Sequence, residues 1–305
     1  MKFHLALVLS GWILGGRAGL FMAPAHADDA VRAAGNDLDN SIHSQTPAFG
    51  EPENSKQQAV VAQQDQAKGV LKSEKLWFDP FAGYTNSLGM RFLPVPGTTV
   101  LFSIWETRVQ DYAAFYTAAS RAPAGQPVFA QEPTHPVVHV SWEDAKAFCD
   151  WLTIVERRDN RLTGKERYRL PTDFEWSSAA AVGPEQGKTP EDRMKTPMIW
   201  PWGSHWPPVS GDGNYAAELK ADSFAYTSPA GSFKTNANGL FDIGGNVWEW
   251  CGDWFNEARV SMTMRGGSFS DGHPAALLSS YRFNGTMNLT SEDIGFRVVL
   301  DRADR

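Results

Sequence analysis

The chain has 305 residues, 28 basic against 35 acidic side chains, a formal net charge of −7, and only two cysteines. That length admits one large domain or two small ones. The acidic balance argues against nucleic acid and anionic lipid as partners, and two cysteines so far apart exclude a CxxC redox pair and a four-thiolate zinc site.

The chain opens with Lys2, an apolar run from Leu5 to Gly15, and the small-residue pattern Ala25-His26-Ala27. This layout predicts a secretory signal over residues 1–27, cleaved before Asp28. The apolar run is too short to span a bilayer, so no membrane insertion is expected after cleavage. Loss of the leader removes Lys2 and Arg17 and no acid, which leaves the mature chain still more acidic. An acidic exported chain with few cysteines fits a periplasmic or secreted bacterial protein. Residues 28–75 are polar, with a Gln-rich stretch from Gln57 to Gln66, and carry too few apolar side chains to build a core. They are expected to be a low-complexity tether, with at most a short helix between Ser55 and Lys72.

Composition changes at Leu76-Trp77-Phe78, where the domain is placed (76–305). Eleven of the twelve tryptophans follow, and glycines and prolines cut the chain into short elements joined by irregular loops. No internal repeat is present, which argues against propellers and solenoids. Strands are expected over Met90–Val95 and Phe296–Leu300, whose pairing would bring the ends of the domain together. Three helices are predicted from capping boxes: Thr107 with Gln110, Ser141 with Asp144, and Thr172 with Glu175. The second has the apolar stripe Ala145, Phe148, Cys149 and Leu152. Cys149 and Cys251 form either one disulfide or two buried thiols.

The most informative segment runs from Gly239 to Trp250 (GLFDIGGNVWEW). Its glycines permit unusual backbone angles, and Trp248, Trp250 and Trp254 can bury the loop. Asp242, Asn246, Glu249 and Asp253 then need partners, which a calcium ion supplies, unless the acids face solvent on a Trp-rich turn.

GLFDIGGNVWEW resembles the signature of the sulfatase-modifying-factor, or formylglycine-generating-enzyme-like, family. Five further segments stand in that family's order: Pro136–Trp142, Tyr168–Thr172 with Glu175-Trp176, Gly213–Ala216, Arg265–Ser268 and Gly295–Arg297. Together they span about residues 82 to 302. The resemblance implies an α+β, loop-rich, C-type-lectin-like fold of short strands and a few helices, usually holding two calcium ions. By resemblance the first ion takes side-chain oxygens of Asn214 and Asp222 and the carbonyls of Tyr215 and Phe224. The second takes Asp242, Glu249 and the carbonyls of Gly245 and Val247, with Asp242 standing where the family often has Asn. Both ions would be structural.

The resemblance does not carry the family's chemistry across. Formylglycine-generating enzymes bind copper through two cysteines shortly after Gly-Gly-Ser and use oxygen to convert a substrate cysteine to formylglycine. The matching positions here hold Asp271 and Ala276, and neither is the soft thiolate that copper(I) requires. Copper is therefore not expected, and the resemblance leaves iron open.

What remains of the groove is Ser268, Trp248, and Asp271 with His273 on one loop, with Arg282 nearby in sequence. A carboxylate and an imidazole can serve as acid and base or bind a metal, or Ser270–Pro274 can be an ordinary polar turn. His135 and His139 are read as completing loop hydrogen bonds. The loop Pro96–Phe102 runs almost directly to Glu106-Thr107, shorter than the family's Gly-rich loop there. The expected function is a binding module for a peptide, glycan or small-molecule ligand. The alternative is a divergent oxidoreductase of the same family acting on a peptide or secondary metabolite.

Overall fold

A computed structural model describes residues 83–119, 125–194 and 199–302. The expected leader (1–27) and tether (28–75) lie outside the described residues. Among the described residues no helix is long and apolar enough to cross a membrane.

Short elements dominate, as the spacing of glycines and prolines dictates. Five strands form one antiparallel sheet: β1 (Tyr84–Thr85), β2 (Arg91–Pro94), β3 (Val100–Ser103), β9 (Val299–Asp301) and β4 (Arg167–Arg169), in that order. The central strand β3 is buried along its whole length. It pairs with β2 through Leu93↔Phe102 and with β9 through Leu101↔Leu300. The two expected strands therefore share a sheet, but they do not pair directly, because β3 lies between them. Val100-Leu101-Phe102, expected within a loop, is this strand, and so short an apolar run carries no alternation to mark it. The last strand also starts later than expected, at Val299.

The second sheet has the order β7 (Phe283–Gly285), β6 (Met262–Arg265), β5 (Trp248–Trp254), β8 (Ile294–Gly295). Here β5 runs antiparallel to β6 and parallel to β8. The Trp-Glu-Trp segment, expected to lie within a loop, is thus the start of an inner strand.

Among the helices, α2 (Trp142–Arg158) has the expected capping box, with Asp144 N–H donating to Ser141 Oγ at 3.1 Å. Its predicted stripe of Ala145, Phe148, Cys149 and Leu152 is buried. Helix α3 (Asp173–Ala179) is capped by Thr172 and Glu175, as expected. Helix α4 (Pro190–Arg193) is a single turn. Helix α1 (Val109–Ala118) departs from expectation, because its N-cap is Arg108, one residue beyond Thr107, with the Arg108 N–H donating to Asp111 Oδ2 at 3.0 Å. Thr107 is held extended instead, its N–H donating to Phe296 O at 2.8 Å and its carbonyl accepting from Val137 at 2.9 Å. The Thr107 hydroxyl is left buried without a partner.

Two main apolar clusters fill the interior. One joins α1, α2 and both sheets around Phe148, Tyr168, Trp250 and Phe296. The other gathers β3, Trp176, Leu240 and Val299. Cys149 belongs to the first and Cys251 to the second, and both are free thiols. Burial pushes both thiols up, and each packs among the apolar side chains of its cluster.

Candidate functional site

The strand register puts three chain segments together at one end of the second sheet. Strand β5 begins at Trp248, β8 begins beside it at Ile294, and β6 ends opposite Glu249 at Arg265. The residues just outside these ends are the Gly239–Val247 loop, the Gly266–Asp271 loop and Asp293.

The Gly239–Val247 loop is bent by four left-handed residues, Gly239 (φ 76°), Asp242 (φ 51°), Gly245 (φ 82°) and Asn246 (φ 60°). A Cβ at position 245 would collide with the Asn214 carbonyl, so only glycine lets the two loops meet there. Asn246, fully buried, then ties the loops together. Its Nδ2 donates to Glu106 Oε1 at 3.0 Å, while its Oδ1 accepts from Asn214 Nδ2 at 3.1 Å and Ser228 N–H at 2.9 Å.

Arg297 sits behind this loop and organises its acids. It donates to both oxygens of Glu249 (2.6 to 2.9 Å) and to the carbonyls of Phe241 (2.9 Å) and Asp242 (3.2 Å). Trp176 Nε1 adds a bond to Glu249 Oε2 at 2.9 Å. Glu106, Asp242 and Glu249 thus crowd one buried guanidinium. Burial, with Asp242 adding to it, pushes the Glu106 carboxyl well above the usual range. Burial also pushes Asp242 up to about 6, against the Gly231 N–H and Arg297, which favour its charged form.

The first expected calcium set offers such an ion one uncommitted oxygen, that of Asn214. Asn214 Nδ2 is committed to Tyr226 O and Asn246, which turns its buried Oδ1 toward no donor. Asp222 lies alongside, accepting from the N–H groups of Tyr215 (3.0 Å) and Phe224 (2.8 Å), the two residues whose carbonyls would complete the shell. The second set fits less well. Glu249 is already neutralised by Arg297, and Asp242 accepts from Gly231 N–H at 2.6 Å. Among the described residues, no group of three or more His, Cys, Asp and Glu side chains converges as a metal site.

The groove candidates are partly brought together. Ser268 Oγ lies 2.6 Å from Asp271 Oδ2 and 3.1 Å from Asp293 Oδ2, and Ser270 Oγ donates to Asp293 at 2.7 Å. Ser268 N–H also donates to Asp271 at 2.9 Å. Burial pushes the Asp271 carboxyl up, with Ser268 and the Trp248 indole pulling it back. The Trp248 backbone holds Asp293 in place through its N–H to the Asp293 carbonyl, at 2.8 Å. The cluster is therefore two carboxylates sharing hydroxyls beside an indole.

His273 and Arg282 do not join it. His273 is exposed, and its Nδ1 accepts from the Ala275 N–H at 3.2 Å, a turn closure. Arg282 is turned to a separate buried network, with Nε and Nη2 each 3.0 Å from Asp173 and the guanidinium also bonded to Glu185. It belongs there because burial alone would push Asp173 up. Arg265, Arg282 and Arg193 outweigh that and hold the carboxyl at about 2.

His135 completes a loop hydrogen bond to Thr227 Oγ1 at 2.9 Å. His139 does not, since its Nε2 is buried without a partner, 3.9 Å from Glu292 Oε1.

Sequence reasoning missed Glu106, Asp293 and Ser270 as site members. The one usable signal for Asp293 is its place two residues before the Gly295-Phe296-Arg297 motif, whose strand pairs with the start of β5.

Comparison with known proteins places these features. A family model described as a sulfatase-modifying factor enzyme 1-like domain matches residues 57–302, beginning inside the stretch expected as a tether. The formylglycine-generating enzyme of Thermomonospora curvata is 35% identical over 162 residues, covering 53% of this chain and 47% of that protein. The inactive C-alpha-formylglycine-generating enzyme 2 of Bos taurus is 34% identical over 190 residues, covering 58% and 54%. The chain spans about half the length of these curated relatives. The structure of PvdO from Pseudomonas aeruginosa superposes with a TM-score of 0.56 at 19% identity, over 73% of this chain and 99% of that one, which shows a shared α+β fold.

Proposed function

The chain belongs to the family of sulfatase-modifying factor enzyme 1-like domains, and from that membership we propose that it is an exported, calcium-stabilised ligand-binding module, not a copper oxidase. One observation carries this reading. Asp271, at the position of the family's first copper thiolate, is bonded to the hydroxyl and N–H of Ser268. A carboxylate and the methyl group of Ala276 are poor hosts for copper(I), which requires soft sulfur donors.

What the groove offers instead is acceptors. Asp271 and Asp293, with the exposed Ser270 hydroxyl between them, would suit the N–H and O–H donors of a peptide, glycan or small molecule, over the buried Ser268 and Trp248 that support them. A relative named as an inactive formylglycine-generating enzyme shows that the family includes proteins so described. Calcium at Asn214 and Asp222 would supply no chemistry, only a pin for the loops beside the groove.

The test uses chain purified without residues 1–27. Elemental analysis is expected to find calcium and neither copper nor iron. Screening against peptide and glycan libraries is expected to yield a ligand whose binding is lost in Trp248→Ala and Ser268→Ala. A cysteine-containing sulfatase-motif peptide, incubated with the protein, copper(I) and oxygen, is expected to keep its mass. Formylglycine in that peptide, or iron with oxygen consumption, overturns the reading in favour of an oxidoreductase.

A further inference from the structure

We infer a second ligand site, for a sugar ring, on the tryptophan platform formed by Trp200, Trp202 and Trp206. It shares no residue with the groove at Ser268, and it stands or falls separately from it.

The platform begins with backbone geometry. Trp200 and Gly203 exchange both of their N–H···O bonds at 3.0 Å, a tight turn that sets Trp200 and Trp202 on one side. Their rings stack with centroids 6.1 Å apart and planes 11° from parallel. Trp206 leans on both, at 5.4 and 6.1 Å. Two of the indole N–H groups are already used, Trp200 donating to Pro274 O at 2.9 Å and Trp202 to His205 O at 2.8 Å. Beneath, buried Tyr215 meets Trp202 edge-on at 4.9 Å, with its hydroxyl donating to Gly244 O at 3.1 Å. The rings are therefore held rigid, and their faces carry no polar group in need of a partner. Trp200 and Trp202 pack against a small cluster apart from both main cores, and Trp206 is 36% exposed.

Trp202 is also one wall of a cavity of about 240 Å³, whose other walls include Asp212, Phe233, Lys234 and Thr235. His205 Nε2 (3.1 Å) and the Val209 N–H (2.8 Å) both bond Asp212 through Oδ2, which leaves its Oδ1 for a ligand. Lys234 is exposed and forms no ion pair among the described residues. The cavity is below the roughly 300 Å³ at which drug-sized ligands are usually held, so it suits a single ring.

The chemistry then selects the ligand. A pyranose has a C–H face that packs on an indole and a rim of hydroxyls that both donate and accept. Asp212 takes the donors and Lys234 serves the acceptors, through charge-assisted bonds. A flat apolar ligand would leave both charges unmatched, and a polyanion would meet a protein of net charge −7.

The test titrates the protein with chitotriose, cellotriose and maltotriose, read by tryptophan fluorescence and by calorimetry. At least one is expected to bind with Kd below about 1 mM. Trp206→Ala, exposed enough to keep the fold, which circular dichroism checks, is expected to weaken binding about tenfold. Ser268→Ala is expected to leave it unchanged. Failure of all three sugars to bind, or full affinity in Trp206→Ala, overturns the inference. So does loss of sugar binding in Ser268→Ala, which would move the sugar to the groove, or binding of free indole in place of every sugar.

Discussion

Asp242 lines the interior with its carboxyl pushed up to about 6 by burial, above the ordinary value of 3.8. A raised folded-state value means the folded protein holds the proton more tightly than the unfolded chain. Its contribution to stability is therefore full below pH about 4 and is lost as pH rises toward about 6. Asp242→Asn is neutral throughout and keeps an acceptor for the Gly231 N–H. In the presence of a calcium chelator it is expected to match the wild type near pH 4 and to exceed it near pH 7, by up to about 3 kcal/mol. Urea denaturation across that range reads the difference, and equal stability at both ends removes Asp242 as a buried ionised group. Arg297 gives the opposite sign. Arg297→Met leaves Glu249 with only the Trp176 N–H beside two further carboxyls, and it is expected to cost about 3–5 kcal/mol in the same experiment. These roles were only half legible in the sequence. Three glycines and an asparagine beside tryptophans announce a buried loop at 239–250. Nothing local says that Arg297 lies 48 positions from its partner Glu249, or that Asn246 reaches back 140 positions to Glu106.

Helix starts were legible because capping is a local interaction. Ser141 and Asp144 are three residues apart and can find each other in any fold that begins a helix there. Ser141→Ala is accordingly expected to lower stability by about 1 kcal/mol, measured by urea denaturation. Thr107 shows the limit of that reasoning. Its sequence context is equally suitable, but bonding to Phe296 and Val137 fixes its backbone, and the cap moves to Arg108. Because the Thr107 hydroxyl is buried without a partner, Thr107→Val is expected to be neutral or to stabilise by up to about 1 kcal/mol. A loss of about 1 kcal/mol instead would return Thr107 to the capping role. Strands were less legible for the converse reason. Those of two to four residues have no room for alternation, and β3 is recognised only by the strands on either side of it.

Across the whole molecule, regular structure is unevenly spread. Between residues 199 and 247 the only regular element is one short 3₁₀ turn, Ala217–Leu219. Side-chain bonds therefore carry that region, with Asp222 accepting from two backbone N–H groups and Asn214 and Asn246 crossing between loops. The family's motifs were readable along the chain, yet what joins them was not, because the joining atoms come from segments distant in sequence. A loop region held this way gains most from an ion that gathers several oxygens at one point. If calcium binds at Asn214 and Asp222, its saturation stabilises the folded state by mass action, by about 2.7 kcal/mol at a hundredfold excess over Kd. For a domain of this size that corresponds to roughly 5–10 °C in melting temperature. Calcium is therefore expected to raise the melting temperature of chelator-treated protein by that amount. Magnesium is expected to do much less, because it demands octahedral geometry and retains its waters. Asn214→Ala removes a buried oxygen of the expected ligand set that faces no donor, and it is expected to abolish the calcium increment. A melting temperature indifferent to calcium, or an undiminished increment in Asn214→Ala, would mean that hydrogen bonds alone hold these loops.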